Sequence, residues 1–204
     1  MRIGIFGGTF DPVHYGHLLL AEYSLEQCRL DQLWFLPAAV PPHKQDRELT
    51  AAEHRVQMLQ LALGGHECMQ VSTMEFERGG VSYTLDTLEA IHRQHPDVEL
   101  FLLMGADSLH ELPSWREPDR ICQLATLAVV QRPDVPYPDL SVLRGIVEPD
   151  RSERFKESVV QMPLIQLSST EIRRRVSAGQ SIRYQTPRAV EKYIETQRLY
   201  TTPL

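Results

Sequence analysis

The chain has 204 residues, 42% of them apolar, and a formal net charge of −6. That is enough for one domain, or one domain with an appendage, around a sizeable core. The acidic balance argues against general nucleic-acid binding, which needs basic surface to displace counterions. "MRIGIF" is too short for a signal peptide, and no run approaches the roughly 20 apolar residues that span a bilayer. Cys28, Cys68 and Cys122 form no CxxC pair and read as reduced thiols of a cytoplasmic protein, with no membrane association.

In chain order, "RIGIF" (2–6) reads as a buried parallel strand ended by glycines. "GHLLLAEYSLEQC" (16–28) has helical spacing, and "QLWFLP" (32–37) is a second strand. After a proline-bearing loop, a Thr50/Glu53 capping box opens a helix that runs through Leu63 to Gly64 and Gly65. "MQVSTMEF" (69–76) predicts a third strand, "TLDTLEAIHRQH" (84–95) a helix, and "VELFLLMG" (98–105) a central strand apolar on both faces. Short helical pieces follow in "DSLHELPSW" and "DRICQLA", then a strand at 126–133. Residues 134–158 carry a weak signal, and "MPLIQLS" (162–168) predicts the last strand. A Ser168/Glu171 box opens a helix closing at Gly179, and Thr186 caps a final helix from Pro187.

Strands alternating with helices predict an α/β fold: a Rossmann-like doubly wound parallel sheet with helices on both faces. Residues 1–204 read as one domain whose small C-terminal helical portion covers about 168–204. Ligands of such sheets sit at the carboxyl ends of the strands, near the switch point in strand order. The candidate site is therefore built from loops 7–17, 37–47, 77–86, 105–116, 132 onward and 168–173.

The first of these loops carries the chemistry. Gly4, Gly7, Gly8 and Gly16 do not give the GxGxxG spacing of hydride-transfer folds. His14 and His17 are three apart at a helix start, but no HExxH or evident third ligand makes a zinc site. Two readings stay open on the residues alone: packed or solvated histidines, or imidazoles donating to phosphate oxygens beside a helix N-terminus.

"GGTFDPVHYGHL" (7–18) resembles the TxGH-type nucleotidyltransferase signature. Tyr15-Gly16-His17 occupies its xGH portion, and His14 stands where that superfamily carries histidine or threonine. "LSSTEIR" (167–173) is similar to the superfamily's second, ISSTxIR-type motif. "PPHK" (41–44), "GGVSYTLDTLE" (79–89) and "GADSLHELPSW" (105–115) resemble the bacterial nicotinate-nucleotide adenylyltransferases, as "VVQRP" resembles their VxxRP. The departures, Ser108 and Leu167, leave the chemistry unchanged.

The resemblance implies transfer of the adenylyl group of ATP to nicotinate mononucleotide, by direct in-line attack without a covalent intermediate, with Mg²⁺ accompanying ATP. It implies His17, His14 and Arg173 as catalytic residues. ATP would meet Gly7, Gly8, Thr9, Phe10, His14, His17, Gly105, Asp107, Ser168, Ser169, Thr170 and Arg173. The mononucleotide would meet Lys44, Ser82, Tyr83, Thr84, Trp115 and Arg132. No side chain is assigned to a metal; as an Asx residue in a turn, Asp11 caps or orients its loop, with metal binding as the alternative. Bland alternatives stand beside several of these: a solvated Lys44, a Trp115 that merely packs, an Arg132 paired with an acid. The rivals to the function are a transferase for another acceptor and a silent nucleotide-binding module. The oligomeric state is not legible.

Overall fold

The computed structural model describes residues 1–40, 49–131, 138–163 and 165–201. Among them, strands β1 (Arg2–Gly8), β2 (Gln32–Pro37), β3 (Met69–Val71), β4 (Glu99–Gly105), β5 (Ala125–Gln131) and β6 (Val160–Gln161) form one sheet. Its order is β3-β2-β1-β4-β5-β6, and every pairing is parallel. The helices are α1 (Tyr15–Gln27), α2 (Ala52–Leu63), α3 (Met74–Arg78), α4 (Thr84–Gln94), α5 (Ala106–Glu111), α6 (Pro118–Leu124), α7 (Pro149–Glu157), α8 (Ser169–Ser177) and α9 (Arg188–Gln197). The expected doubly wound parallel fold is the observed one.

Successive strand residues point to opposite faces, and here both faces are covered. Phe6, Leu33, Phe35, Phe101, Leu103, Ala128 and Val130 pack on one side with Met58 and Leu59 of α2, Ile172 of α8, and Val190 and Ile194 of α9. Ile3, Ile5, Leu36, Leu100, Leu102, Leu127 and Val129 pack on the other with Leu85, Leu88 and Ile91 of α4 and Phe155 of α7. Strands buried on both faces need near-continuous apolar runs, which "FLLM" and "LAVV" supply.

The switch point positions the site. β1 pairs with β4 only from Arg2–Glu99 to Ile5–Leu102. Beyond that, β1 follows β2 as far as Gly8–Pro37, and β4 follows β5 as far as Gly105–Val130. The strands part over Phe6–Gly8 and Leu103–Gly105, which leaves a crevice between them.

Several local expectations are corrected. The strand predicted at 69–76 stops at Val71, and α3 follows, tied by a helical i,i+4 bond from the Thr73 hydroxyl to Glu77 (2.6 Å). The strand predicted at 162–168 lies instead at Val160–Gln161; Pro163 has no N–H to offer a ladder. The Thr50/Glu53 box does not form, because the Thr50 N–H donates to Asp11 Oδ2 (3.2 Å) and α2 starts from Ala51. Thr186 does not cap α9; Pro187 takes that position, and the Thr186 hydroxyl donates to the Val13 carbonyl (2.7 Å). Half of the Ser168/Glu171 box forms: Ser168 Oγ accepts from the Glu171 N–H (3.1 Å), while the Glu171 carboxylate pairs with Arg174 (2.7 Å). In the weakly patterned stretch, a 3-10 turn at Leu140–Leu143 precedes α7, whose Arg151 donates to the carbonyls of Cys122 and Gln123 at the end of α6.

Candidate active site

The loop from Gly8 to α1 carries both histidines. His14 is the N-cap of α1 in extended conformation, and its carbonyl accepts from the N–H groups of His17 (2.9 Å) and Leu18 (3.3 Å). The two imidazoles stack, with centroids 3.7 Å apart and planes 23° apart. The His14 N–H donates to His17 Nδ1 (3.3 Å). An accepting Nδ1 leaves the proton of a neutral ring on Nε2, so His17 presents an Nε2–H donor. Gly16 makes room for the stack: a Cβ there would lie 3.0 Å from His14 Cε1 and Nδ1.

The stack sits in apolar surroundings, with the rings of Phe10 at 5.1 Å and Phe6 at 6.0 Å from that of His17. His14 is only 6% exposed, and its Nδ1 is buried with no partner among the described residues. Burial lowers His14 to about 4. Burial, reinforced by the neighbouring His14, holds His17 well below 6.5. Both rings are neutral at pH 7, able to donate a hydrogen bond without carrying charge.

Residues distant in sequence hold this loop. The Thr9 carbonyl accepts from Arg55 (3.2 Å), that of Asp11 from Arg173 (2.6 Å), that of Pro12 from the Ser169 hydroxyl (2.8 Å), and that of Val13 from Thr186. The Tyr15 N–H donates to the Gln185 carbonyl (3.0 Å). Asp11, 2% exposed, accepts from Thr50 N–H on Oδ2 and from the Tyr200 hydroxyl on Oδ1 (2.6 Å). Asp11 therefore orients the loop. Burial, then the Asp11 carboxylate, raises Tyr200 far above the phenol range, so it donates throughout ordinary pH. Arg55, also 2% exposed, is lowered by burial against opposition from Asp11 and Tyr200, and it further donates to the carbonyls of Thr50 (2.9 Å) and Ala38 (2.8 Å).

Beside the loop, the crevice at the switch point encloses about 480 Å³. Gly7, Gly8 and Thr9 form one wall, Met104 and Gly105 another, and Ser82–Leu85 with Trp115 and Arg116 the rim. A Cβ on Gly7 or Gly105 would meet nothing within 4 Å, so these positions keep the strand ends open. α4 begins at the rim with no side-chain cap from Tyr83. The Trp115 indole N–H is buried there with no partner among the described residues. Ser82 ties the rim to the β2 loop: its Oγ accepts from the Ala39 N–H (2.9 Å), and its N–H donates to the Val40 carbonyl (2.9 Å). The arrangement offers many hydrogen-bond donors and space for a planar ring, the equipment for an anionic nucleotide. Among the described residues no three His, Cys, Asp or Glu side chains gather to hold a metal.

Residues 5–175 match the cytidylyltransferase-like family. Over 201 residues, 98% of this chain and 92% of the relative, the chain is 47% identical to a Thermomicrobium roseum protein named "Probable nicotinate-nucleotide adenylyltransferase". A Geobacillus thermodenitrificans protein of the same name is 43% identical over 203 residues, 98% of this chain and 86% of its own. The chain belongs to the nicotinate-nucleotide adenylyltransferase family. Its fold is shared with the Plasmodium falciparum nicotinic acid mononucleotide adenylyltransferase solved with NaAD, at 18% identity and a TM-score of 0.76 over 99% of this chain and 98% of that one.

Set against the adenylyltransferase motifs, the crevice brings together Gly7, Gly8, Thr9, Ser82, Tyr83, Thr84, Gly105 and Trp115. His14, His17, Phe10, Ser169 and Arg173 lie together around the strapped loop, with Ser168 and Thr170 exposed at the start of α8. Phe10 is buried with a φ of 48°, and its ring packs on Gly8. Asp107 is exposed on the first turn of α5, apart from the crevice lining. Lys44 and Arg132 lie outside the described residues.

Sequence reasoning missed Arg55, Thr50, Tyr200, Arg116 and Glu75. Arg55 had a signal: it shares a helical face with Met58 and Leu59, where an unpaired charge has no place. Glu75 was hidden by the mistaken strand; it lines the crevice and accepts from the Thr87 hydroxyl (2.8 Å). Tyr200 gave none.

Proposed function

We infer that the chain transfers the adenylyl group of ATP to nicotinate mononucleotide, giving nicotinate adenine dinucleotide and pyrophosphate in NAD biosynthesis. One observation carries this reading: a neutral, stacked histidine pair, with the His17 Nε2–H unpartnered among the described residues, stands beside a donor-lined crevice at the switch point. The mononucleotide phosphate oxygen attacks the α-phosphorus of ATP; a new P–O bond forms as the bond to pyrophosphate breaks. The attacking group belongs to the substrate, so the protein's work is positioning and charge stabilisation.

In this proposal His17 Nε2–H donates to the α-phosphate oxygen as charge builds there, and His14 contacts the same or an adjacent oxygen. Gly7, Gly8 and Thr9 let the phosphates approach the backbone. Ser168, Thr170 and the remaining Arg173 N–H groups face the β- and γ-phosphates, while Ser169 and one Arg173 donor hold the loop. Asp107 takes a ribose hydroxyl, and Lys44 and Arg132 take mononucleotide phosphate oxygens. Trp115 stacks on the pyridine ring, whose carboxylate meets the uncapped start of α4 at Tyr83 and Thr84. The His17 Nε2–H and the backbone amide hydrogens are donors and so meet phosphate oxygens, and the divalent ion, Mg²⁺, enters as part of the ATP substrate.

Pyrophosphate release from ATP and Mg²⁺ with either nicotinate or nicotinamide mononucleotide tests the reading. Rapid release with the acid is the expected result. No release with either overturns catalysis and leaves a binding module; equal rates overturn selection at the α4 start.

A further inference from the structure

The start of α4 is electrostatically ambiguous. Its open N–H groups attract an anion, but Asp86 sits in the same first turn and repels one. The nearest cation to Asp86 among the described residues is Arg116, which lines the crevice next to Trp115. Its guanidinium carbon lies 5.3 Å from the centre of the Tyr83 ring, over the N-cap residue of α4.

Arg116 is only loosely engaged by acids. Its Nη1 lies 3.4 Å and 3.5 Å from the two Asp86 oxygens, and its Nε lies 3.9 Å from Glu117. The side chain is half exposed. Both acids thus leave it within reach of a third carboxylate, and its planar fork suits one. Nothing about holding the fold requires a cation here, since exposed pairs of this kind contribute little.

We propose that Arg116 is the specificity-determining residue for a pyridine acid over the corresponding amide. It screens Asp86, so that the α4 start attracts an anion, and it donates to the ring carboxylate itself. A neutral carboxamide gains neither effect. This role rests on the proposed mononucleotide site, and it goes beyond the helix start by naming the side chain that sets its sign.

The test compares wild type, Arg116→Gln, Arg116→Lys, Asp86→Asn and the double variant Arg116→Gln/Asp86→Asn. Each is assayed with ATP, Mg²⁺ and nicotinate or nicotinamide mononucleotide, and for equilibrium binding of each mononucleotide alone. Arg116→Gln should lose about tenfold in kcat/KM and in affinity for the acid, the scale of one hydrogen bond to a charged group. The loss should fall on KM rather than kcat, and the amide should change by less than about twofold. Arg116→Lys should keep most of the preference. Asp86→Asn should raise it, and the double variant should recover part of what Arg116→Gln loses, because the unscreened repulsion has gone.

An acid-to-amide ratio that is unchanged in Arg116→Gln, in a wild type that does prefer the acid, overturns the selector role and leaves the proposed function standing. A fall in kcat for both substrates alike also overturns it, by pointing to general damage. A wild type with no preference overturns the acid site and the selector together.

Discussion

The glycine–histidine loop and the crevice rim lie side by side at the ends of β1 and β4, yet they are built on opposite plans. Along residues 9–15 five backbone groups are tied by residues distant in sequence: Arg55, Arg173, Ser169, Thr186 and Gln185 each hold one. At the rim, α4 has no side-chain cap, the Trp115 indole N–H has no partner among the described residues, and Arg116 is loosely paired. The tied loop aims donors at charge that appears only during reaction, where preorganisation counts most. The rim keeps donors unspent for a ligand that must come and go.

The sharpest way to break that contrast is at the tied side. His17→Ala removes one aimed donor and should lower kcat by about 10²–10³, equivalent to ~3–4 kcal/mol of transition-state stabilisation. Circular dichroism should be unchanged, because His17 is half-buried at a helix start and, among the described residues, bears no tertiary hydrogen bond to distant elements. Near-normal kcat in the folded variant removes His17 from the chemistry.

The two regions also differ in how far the sequence disclosed them. β2 reads at its observed bounds because an apolar run ends in a proline, and the β1–α1 loop reads from its glycines and histidines. Of the rim residues, Ser82, Tyr83, Thr84 and Trp115 were named through resemblance and Arg116 was not; geometry places all five on one crevice. The straps were illegible for a physical reason. Tyr200 and Asp11 are 189 residues apart, and Arg173 and Asp11 are 162 apart; local pattern carries no record of such pairing. The same tertiary bonds defeated two sound local rules: Thr50 and Thr186 are good cap residues, and both were recruited by the loop instead.

A second, slightly smaller effect follows from the buried imidazole. An unfolded histidine takes up a proton near 6.5, whereas folded His14 does so only near 4. Between those values the unfolded state binds more protons, so acidification drains stability from the fold. The loss begins as pH falls through about 6.5 and levels off near 4, amounting to on the order of 3 kcal/mol from this group. Urea midpoints measured from pH 7.5 down to about 5, above most carboxylate titration, should decline in the native chain and decline less in His14→Gln. Parallel slopes would mean that His14 is protonated in the folded state and that the neutral stack is wrong.

The smallest effect sets the tied loop directly against the rim. Tyr200→Phe deletes one hydroxyl that donates to a buried carboxylate, leaving Asp11 Oδ1 without that donor in a place water does not easily reach. A bond of this kind is worth about 1.5–3 kcal/mol, so the urea midpoint should fall accordingly. Arg116→Gln deletes a full charge at the rim, yet its partners are half-exposed and distant, and stability should move by less than about 1 kcal/mol. Activity should divide the other way. The phenylalanine variant should lose kcat with both mononucleotides, since the loop it loosens serves the reacting phosphates whatever the acceptor. The glutamine variant should alter the choice between acceptors. If removing the hydroxyl costs nothing while removing the charge unfolds the chain, then the region that supports the fold is the rim, and the division of labour drawn between the two is reversed.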